Sequence, residues 1–134
     1  MSFLDWGPQA LEEASSLSEV KQLRDCAEAV RVLAKLEGRE HENRAAEIKL
    51  RAERKAGGML TEFNLRGGDR RSRLRRNRPT LASLHITKDQ SHYWQRLALV
   101  PRVDLDRYIK RCKKRGELIT LQGALHAARS PSDG

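Results

Sequence analysis

The chain has 134 residues, of which 38% are hydrophobic, 34% charged and 4% aromatic; this allows one domain or two small helical lobes around Leu, Ala, Val and Ile, and excludes a large core. Its formal net charge of +9 is unevenly spread: residues 1–64 hold 10 Lys and Arg against 12 Asp and Glu, whereas residues 65–134 hold 17 against 6. A strongly basic half beside a near-neutral one points to a polyanionic partner rather than to general solubility.

Along the chain, Gly7-Pro8 reads as a turn or helix start, with a short helix over 9–14. Ser16 and Glu19 form an S-x-x-E capping box, in which each side chain satisfies an orphan N–H. Val20, Leu23, Ala27, Val30 and Ala34 then recur on one helical stripe, and Gly38 ends that helix. A second long helix is expected over 40–63, with Ala45, Ile48, Ala52, Ala56, Met59 and Phe63 as its stripe. The short connection predicts an antiparallel hairpin within 1–64, with too little buried area to stand alone, so either the C-terminal lobe or a second copy of the chain, as a homodimer partner, is expected to cover it. Gly57-Gly58 weakens the helix by about 1 kcal/mol per residue relative to Ala and invites a bend or a close contact.

Residues 65–78 read as a flexible basic linker: Arg66, Arg70, Arg71, Arg73, Arg75, Arg76 and Arg78 face a single acid, Asp69. Past it, residues 79–129 read as a helix-turn-helix lobe, with 130–134 a polar tail. Thr80 is expected to cap a short helix over 80–84, His85 to Thr87 to form the turn, and Thr87 to cap a helix over 88–99. Leu81, Leu84, Ile86, Trp94 and Leu97 would fasten the two helices. The turn needs a residue that tolerates positive φ, and His85 occupies that place. The second helix would turn Lys88, Asp89, Gln90, His92, Gln95 and Arg96 toward a major groove. Helices over 103–115, carrying Leu105, Tyr108, Ile109 and Cys112 on one side, and from Leu121, capped by Thr120, complete an all-α chain.

The linker arginines Arg70, Arg71, Arg73, Arg75, Arg76 and Arg78 suit phosphates or an adjacent minor groove, which adds affinity but no direct sequence readout. His41, His85, His92 and His126 do not cluster with acids or cysteines at metal spacing. No phosphate loop, nucleophile elbow or dinucleotide fingerprint occurs. The expectation is therefore no metal, no cofactor and no enzymatic activity. Cys26 and Cys112 have neither ligand nor disulfide-framework spacing and suit a reducing compartment. With no apolar run of about 18 residues and no basic leader, a cytoplasmic, nucleoid-associated protein without a membrane partner is expected.

Ala46 to Leu60, which runs AEIKLRAERKAGGML, and Pro79 to Gln95, which runs PTLASLHITKDQSHYWQ, together resemble a group of small proteins carried by bacteriophages, prophages and plasmids. In that group a similar charged helix precedes a Gly-rich polar linker, a helix-turn-helix-like segment and a further helix after Val-Pro. The resemblance covers roughly residues 20–125. This chain departs from the pattern at His85, where Gly is usual, and at His92-Tyr93, where small and basic residues are usual. The resemblance implies a mobile-element DNA-binding or regulatory role. The expected function is a sequence-specific regulator acting on double-stranded DNA. The alternatives are an interaction or inhibitor protein acting on a host nucleic-acid enzyme, with that host protein as partner, and an RNA-binding accessory protein.

Overall fold

The computed structural model describes the backbone of residues 1–67 and 80–129. Within them the chain is helical, without strands: α1 (Phe3–Glu13), α2 (Leu17–Ala34), a 3-10 turn (Lys35–Glu37), α3 (Arg39–Gly67), α4 (Lys88–Ala98), α5 (Arg102–Arg115) and α6 (Leu121–Arg129).

Helix α1 starts earlier than the Gly7-Pro8 pair suggests. The Ser2 N–H donates to the Asp5 carboxylate at 3.1 Å, which starts the helix, and Pro8 lies inside it. Pro8 forfeits one backbone hydrogen bond. Packing outweighs this loss: Gly7 is buried, and a Cβ there would lie 3.3 Å from the Ile48 side chain of α3. Helix α2 begins at the expected cap, with the Glu19 N–H donating to the Ser16 hydroxyl at 3.1 Å, but the reciprocal half of the box differs: the Glu19 carboxylate accepts from the Ser16 hydroxyl at 3.0 Å instead of from the backbone N–H of the cap. It gives way to the 3-10 turn, and Gly38, at φ 118°, redirects the chain.

Helices α2 and α3 run antiparallel. Arg24 pairs with Glu53, Glu28 with Lys49 and Arg31 with Glu42, so partners advance on one helix as they retreat on the other. Helix α3 is longer than the expected 40–63, and its backbone is helical through residues 65–67 of the expected linker. It is also central. One cluster joins its Ala52, Ala56 and Leu60 to Leu11, Val20, Ile86 and Trp94. A second joins its Ala46 and Leu50 to Leu97, Leu105, Ile109, Ile119 and Leu125. Residues before and after 68–79 thus share both clusters, and the expected stripe was one of two buried faces.

Buried polar groups tie the layers together. Asn43, 2% exposed, donates from Nδ2 to the Glu117 carbonyl at 2.8 Å and accepts from the Ile119 N–H at 2.9 Å, holding the α5–α6 connection on α3. Glu53, also 2% exposed, accepts from Arg24 Nε at 2.8 Å, and the Arg24 guanidinium lies 5.3 Å from the Trp94 ring centre. Burial pushes the Glu53 carboxyl above its ordinary range, and the Arg24 charge offsets this only in part.

Candidate nucleic-acid interface

The segment 80–98 differs in part from the expected helix-turn-helix. Residues 81–85 form hydrogen-bonded turns rather than an α-helix. The Leu84 N–H donates to the Thr80 carbonyl at 3.2 Å and the Ile86 N–H to the Leu81 carbonyl at 2.9 Å. Five residues give too few backbone bonds to propagate a helix. Thr80 does cap this turn, accepting from the Ser83 N–H at 3.0 Å. His85 has φ 57° and is the one positive-φ residue other than glycine among those described. It occupies the left-handed place expected for it, and the bond from Ile86 to Leu81 closes the turn in the manner of a helix C-terminus. Leu81, Leu84, Ile86 and Trp94 pack together, as expected, but Leu97 belongs to the other cluster.

Helix α4 opens on a full capping box. Thr87 Oγ1 accepts from the Gln90 N–H, and Gln90 Oε1 accepts from the Thr87 N–H, each at 3.0 Å. Ser91, Trp94 and Leu97 form the buried face. The contact with α3 is close enough to exclude any side chain at Gly57: a Cβ there would sit 1.8 Å from the Trp94 carbonyl oxygen. Gly58 next to it faces open space. The expected close contact therefore falls on the first of the two glycines.

The six residues expected on the recognition face are not equivalent. Lys88, Asp89 and His92 are exposed, and Arg96 is half-buried beside the Tyr93 ring, 6.0 Å from its centre. Gln95 turns inward. Its Nε2 donates to Ser91 Oγ at 2.9 Å and its Oε1 accepts from Thr61 Oγ1 at 3.3 Å, which ties α4 to α3. Gln90 spends its Oε1 on the cap. The outer stripe of α4 thus consists of Lys88, His92 and Arg96 with Asp89 alongside. Arg70, Arg71, Arg73, Arg75, Arg76 and Arg78 lie outside the described residues.

A second basic surface escaped the search for a recognition helix. Helix α5 buries Leu105, Tyr108, Ile109 and Cys112. Its outer face carries Arg107, Lys110 and Lys114 at spacings of 3 and 4, with Arg111 beside them. Asp104 is 3.6 Å from Arg107, and Glu117 is 3.8 Å from Arg115. Lys110, Arg111 and Lys114 have no carboxylate within ion-pair distance among the described residues, and Arg111 lies 5.8 Å from the Tyr108 ring centre. The sequence signal was available in Lys110-Arg111-Cys112-Lys113-Lys114-Arg115, read against the apolar period of the same helix. Leu99 and Val103, 79% and 62% exposed, flank the turn between α4 and α5.

Among the described residues no group of three His, Cys, Asp or Glu is placed to hold a metal ion, and no helix is long and apolar enough to cross a membrane. No protein-family model, curated protein or solved structure matches the chain.

Proposed function

We propose that this protein binds double-stranded DNA as a regulator of the mobile-element type, reading bases with the outer stripe of α4 and holding phosphates with α5. The observation that carries the reading is the set of cations on the outside of α5, Lys110, Arg111 and Lys114, without carboxylate partners among the described residues and next in sequence to a helix that presents Lys88, His92 and Arg96. Unpaired cations on one helix face attract a polyanion and release its counterions, which supplies affinity. The capped N-terminus of α4, entered through the left-handed turn at His85, supports the base-reading role. The arginines of 70–78 belong to the same reading as additional phosphate contacts. So does a dimer: Ala29 and Leu33 of α2 and Leu36 of the 3-10 turn after it leave exposed apolar side chains within the half expected to pair. The reading is of a non-enzymatic protein without a cofactor.

The test is selection of bound sites from a random duplex library, run on wild type, on Lys88→Ala/His92→Ala/Arg96→Ala and on Lys110→Ala/Lys114→Ala. Wild type should enrich a motif of two related half-sites, and the α4 variant should lose that enrichment. The α5 variant should keep the motif but bind all duplexes more weakly, with the slope of log affinity against log salt reduced by about 2. No enrichment by wild type, or preference for RNA at equal salt, would sink the reading and favour a host-protein or RNA partner.

A further inference from the structure

A cleft of about 590 Å³ opens between α1, α3 and α5, away from the outer face of α5. Its floor is apolar, made by Leu4, Leu11, Ile48 and Leu105. Among the described residues its walls carry Arg44, Arg51, Arg54, Lys55, Arg102 and Lys113 against Glu12 and Glu47. Some of that charge is compensated. Glu47 is shared by Arg51 and Lys113; burial pushes its carboxyl up, but their hydrogen bonds outweigh burial and hold it below the ordinary carboxylate range. Arg51 also reaches Asp106 at 2.7 Å, and Arg44 lies 3.5 Å from Asp5.

Arg54 and Lys55 differ from these. Arg54 donates from Nε and Nη2 to one acceptor, the Val100 carbonyl, at 3.1 and 3.0 Å. Lys55 donates to the Leu11 and Glu12 carbonyls, at 2.6 and 3.3 Å. Neither has a carboxylate within ion-pair distance among the described residues. The carbonyls fix both cations in place. They do not neutralise them, although the C-terminal end of α1 offsets part of the Lys55 charge. Arg102 stands at the mouth, 80% exposed and 3.9 Å from Asp106.

We infer that this cleft is a binding site for an organic anion with an apolar body, such as an aromatic or aliphatic carboxylate, sulfonate or phosphate monoester. The volume falls in the range of small-ligand sites. A bare inorganic anion would leave the floor wet, and a neutral apolar molecule would leave Arg54 and Lys55 without a counter-charge. An amphipathic anion satisfies both walls and floor. This inference is independent of the DNA reading and is tested without DNA.

The probe is 8-anilinonaphthalene-1-sulfonate, titrated calorimetrically into the full chain, with its uncharged relative N-phenyl-1-naphthylamine as comparison. Wild type should bind one sulfonate per chain and the neutral compound at least tenfold more weakly. Arg102→Glu, on an exposed side chain, and Lys55→Gln should each weaken the sulfonate by about tenfold at unchanged helix content. Lys110→Ala/Lys114→Ala should bind it as wild type does. Absence of saturable binding, equal binding of the neutral compound, or indifference to both cleft substitutions would overturn the inference. So would displacement of the sulfonate by duplex DNA together with loss of DNA binding in the cleft variants, since the cleft would then be a phosphate contact.

Discussion

At the scale of single residues, burial decides what a polar side chain does. Asn43 looks in the sequence like one more polar position on a charged helix. In the fold it is buried and replaces two backbone partners for the α5–α6 connection. Asn43→Ala should leave the Ile119 N–H and the Glu117 carbonyl without partners and cost about 2 to 4 kcal/mol. Asn43→Asp should also destabilise, because it keeps the acceptor but loses the donor. Urea unfolding followed by circular dichroism measures both; a midpoint unchanged in Asn43→Ala would contradict the role given to this side chain. Gln95 teaches the same lesson in the opposite direction. Its position in the helix period and its amide chemistry suit a base edge, yet Ser91 and Thr61 hold it against α3. The Ser91 contact is local, four residues back on the same helix, but the Thr61 contact that turns Gln95 inward cannot be read from local sequence, because Thr61 lies 34 residues away.

At the scale of the element, α2 to α6 and most of their caps were legible, whereas α1 starts before the expected 9–14 and the expected helix over 80–84 is a set of turns. The capping pairs Ser16 with Glu19 and Thr87 with Gln90, the apolar period of α5 and the left-handed place of His85 are local features, set by chemistry within a few residues. The crossing of α3 and α4 was not. It uses Gly57 to bring one helix onto the Trp94 carbonyl of the other. Gly57→Ala should force the helices apart and destabilise the protein by about 3 kcal/mol. Gly58→Ala should stabilise it by about 0.5 to 1 kcal/mol, since only helix propensity changes where a Cβ meets nothing. The two variants differ by one position, so opposite shifts in thermal midpoint would test the crossing directly, and equal shifts would refute it.

At the scale of the whole molecule, carboxylates join the helices of a chain with a formal net charge of +9. Glu28 is held ionised by a hydrogen bond from Arg31, against some burial, with Lys49 adding attraction, and its pKa falls to about 2. A carboxyl lowered in the folded state contributes stability above its unfolded pKa of 4.5, and that contribution is lost as pH falls toward 2. Glu47 acts in the same direction. Glu53 acts oppositely: its raised value favours the fold at low pH and loses that benefit as pH rises through the folded pKa. Stability should therefore drop between pH 5 and about 2, and Glu28→Gln should flatten part of that drop without removing the Glu53 contribution. Denaturant midpoints across this range test it; a Glu28→Gln curve parallel to wild type would show that the pair does not contribute.

The amino-acid sequence by itself determined the helical class, the start signals of most helices, the positive-φ turn and the division into a near-neutral and a basic half, because propensity, capping and charge act over a few residues. Only the tertiary structure decided that α3 is buried on two faces and shared by the helices on either side of 68–79. It also decided that Gly57 rather than Gly58 takes the close contact, and that α1 accepts Pro8. On the surface it left Lys110, Arg111 and Lys114 without a carboxylate partner among the described residues and turned Gln95 inward. Those outcomes depend on which side chains meet across long stretches of chain, and helical periodicity fixes a face without fixing what covers it.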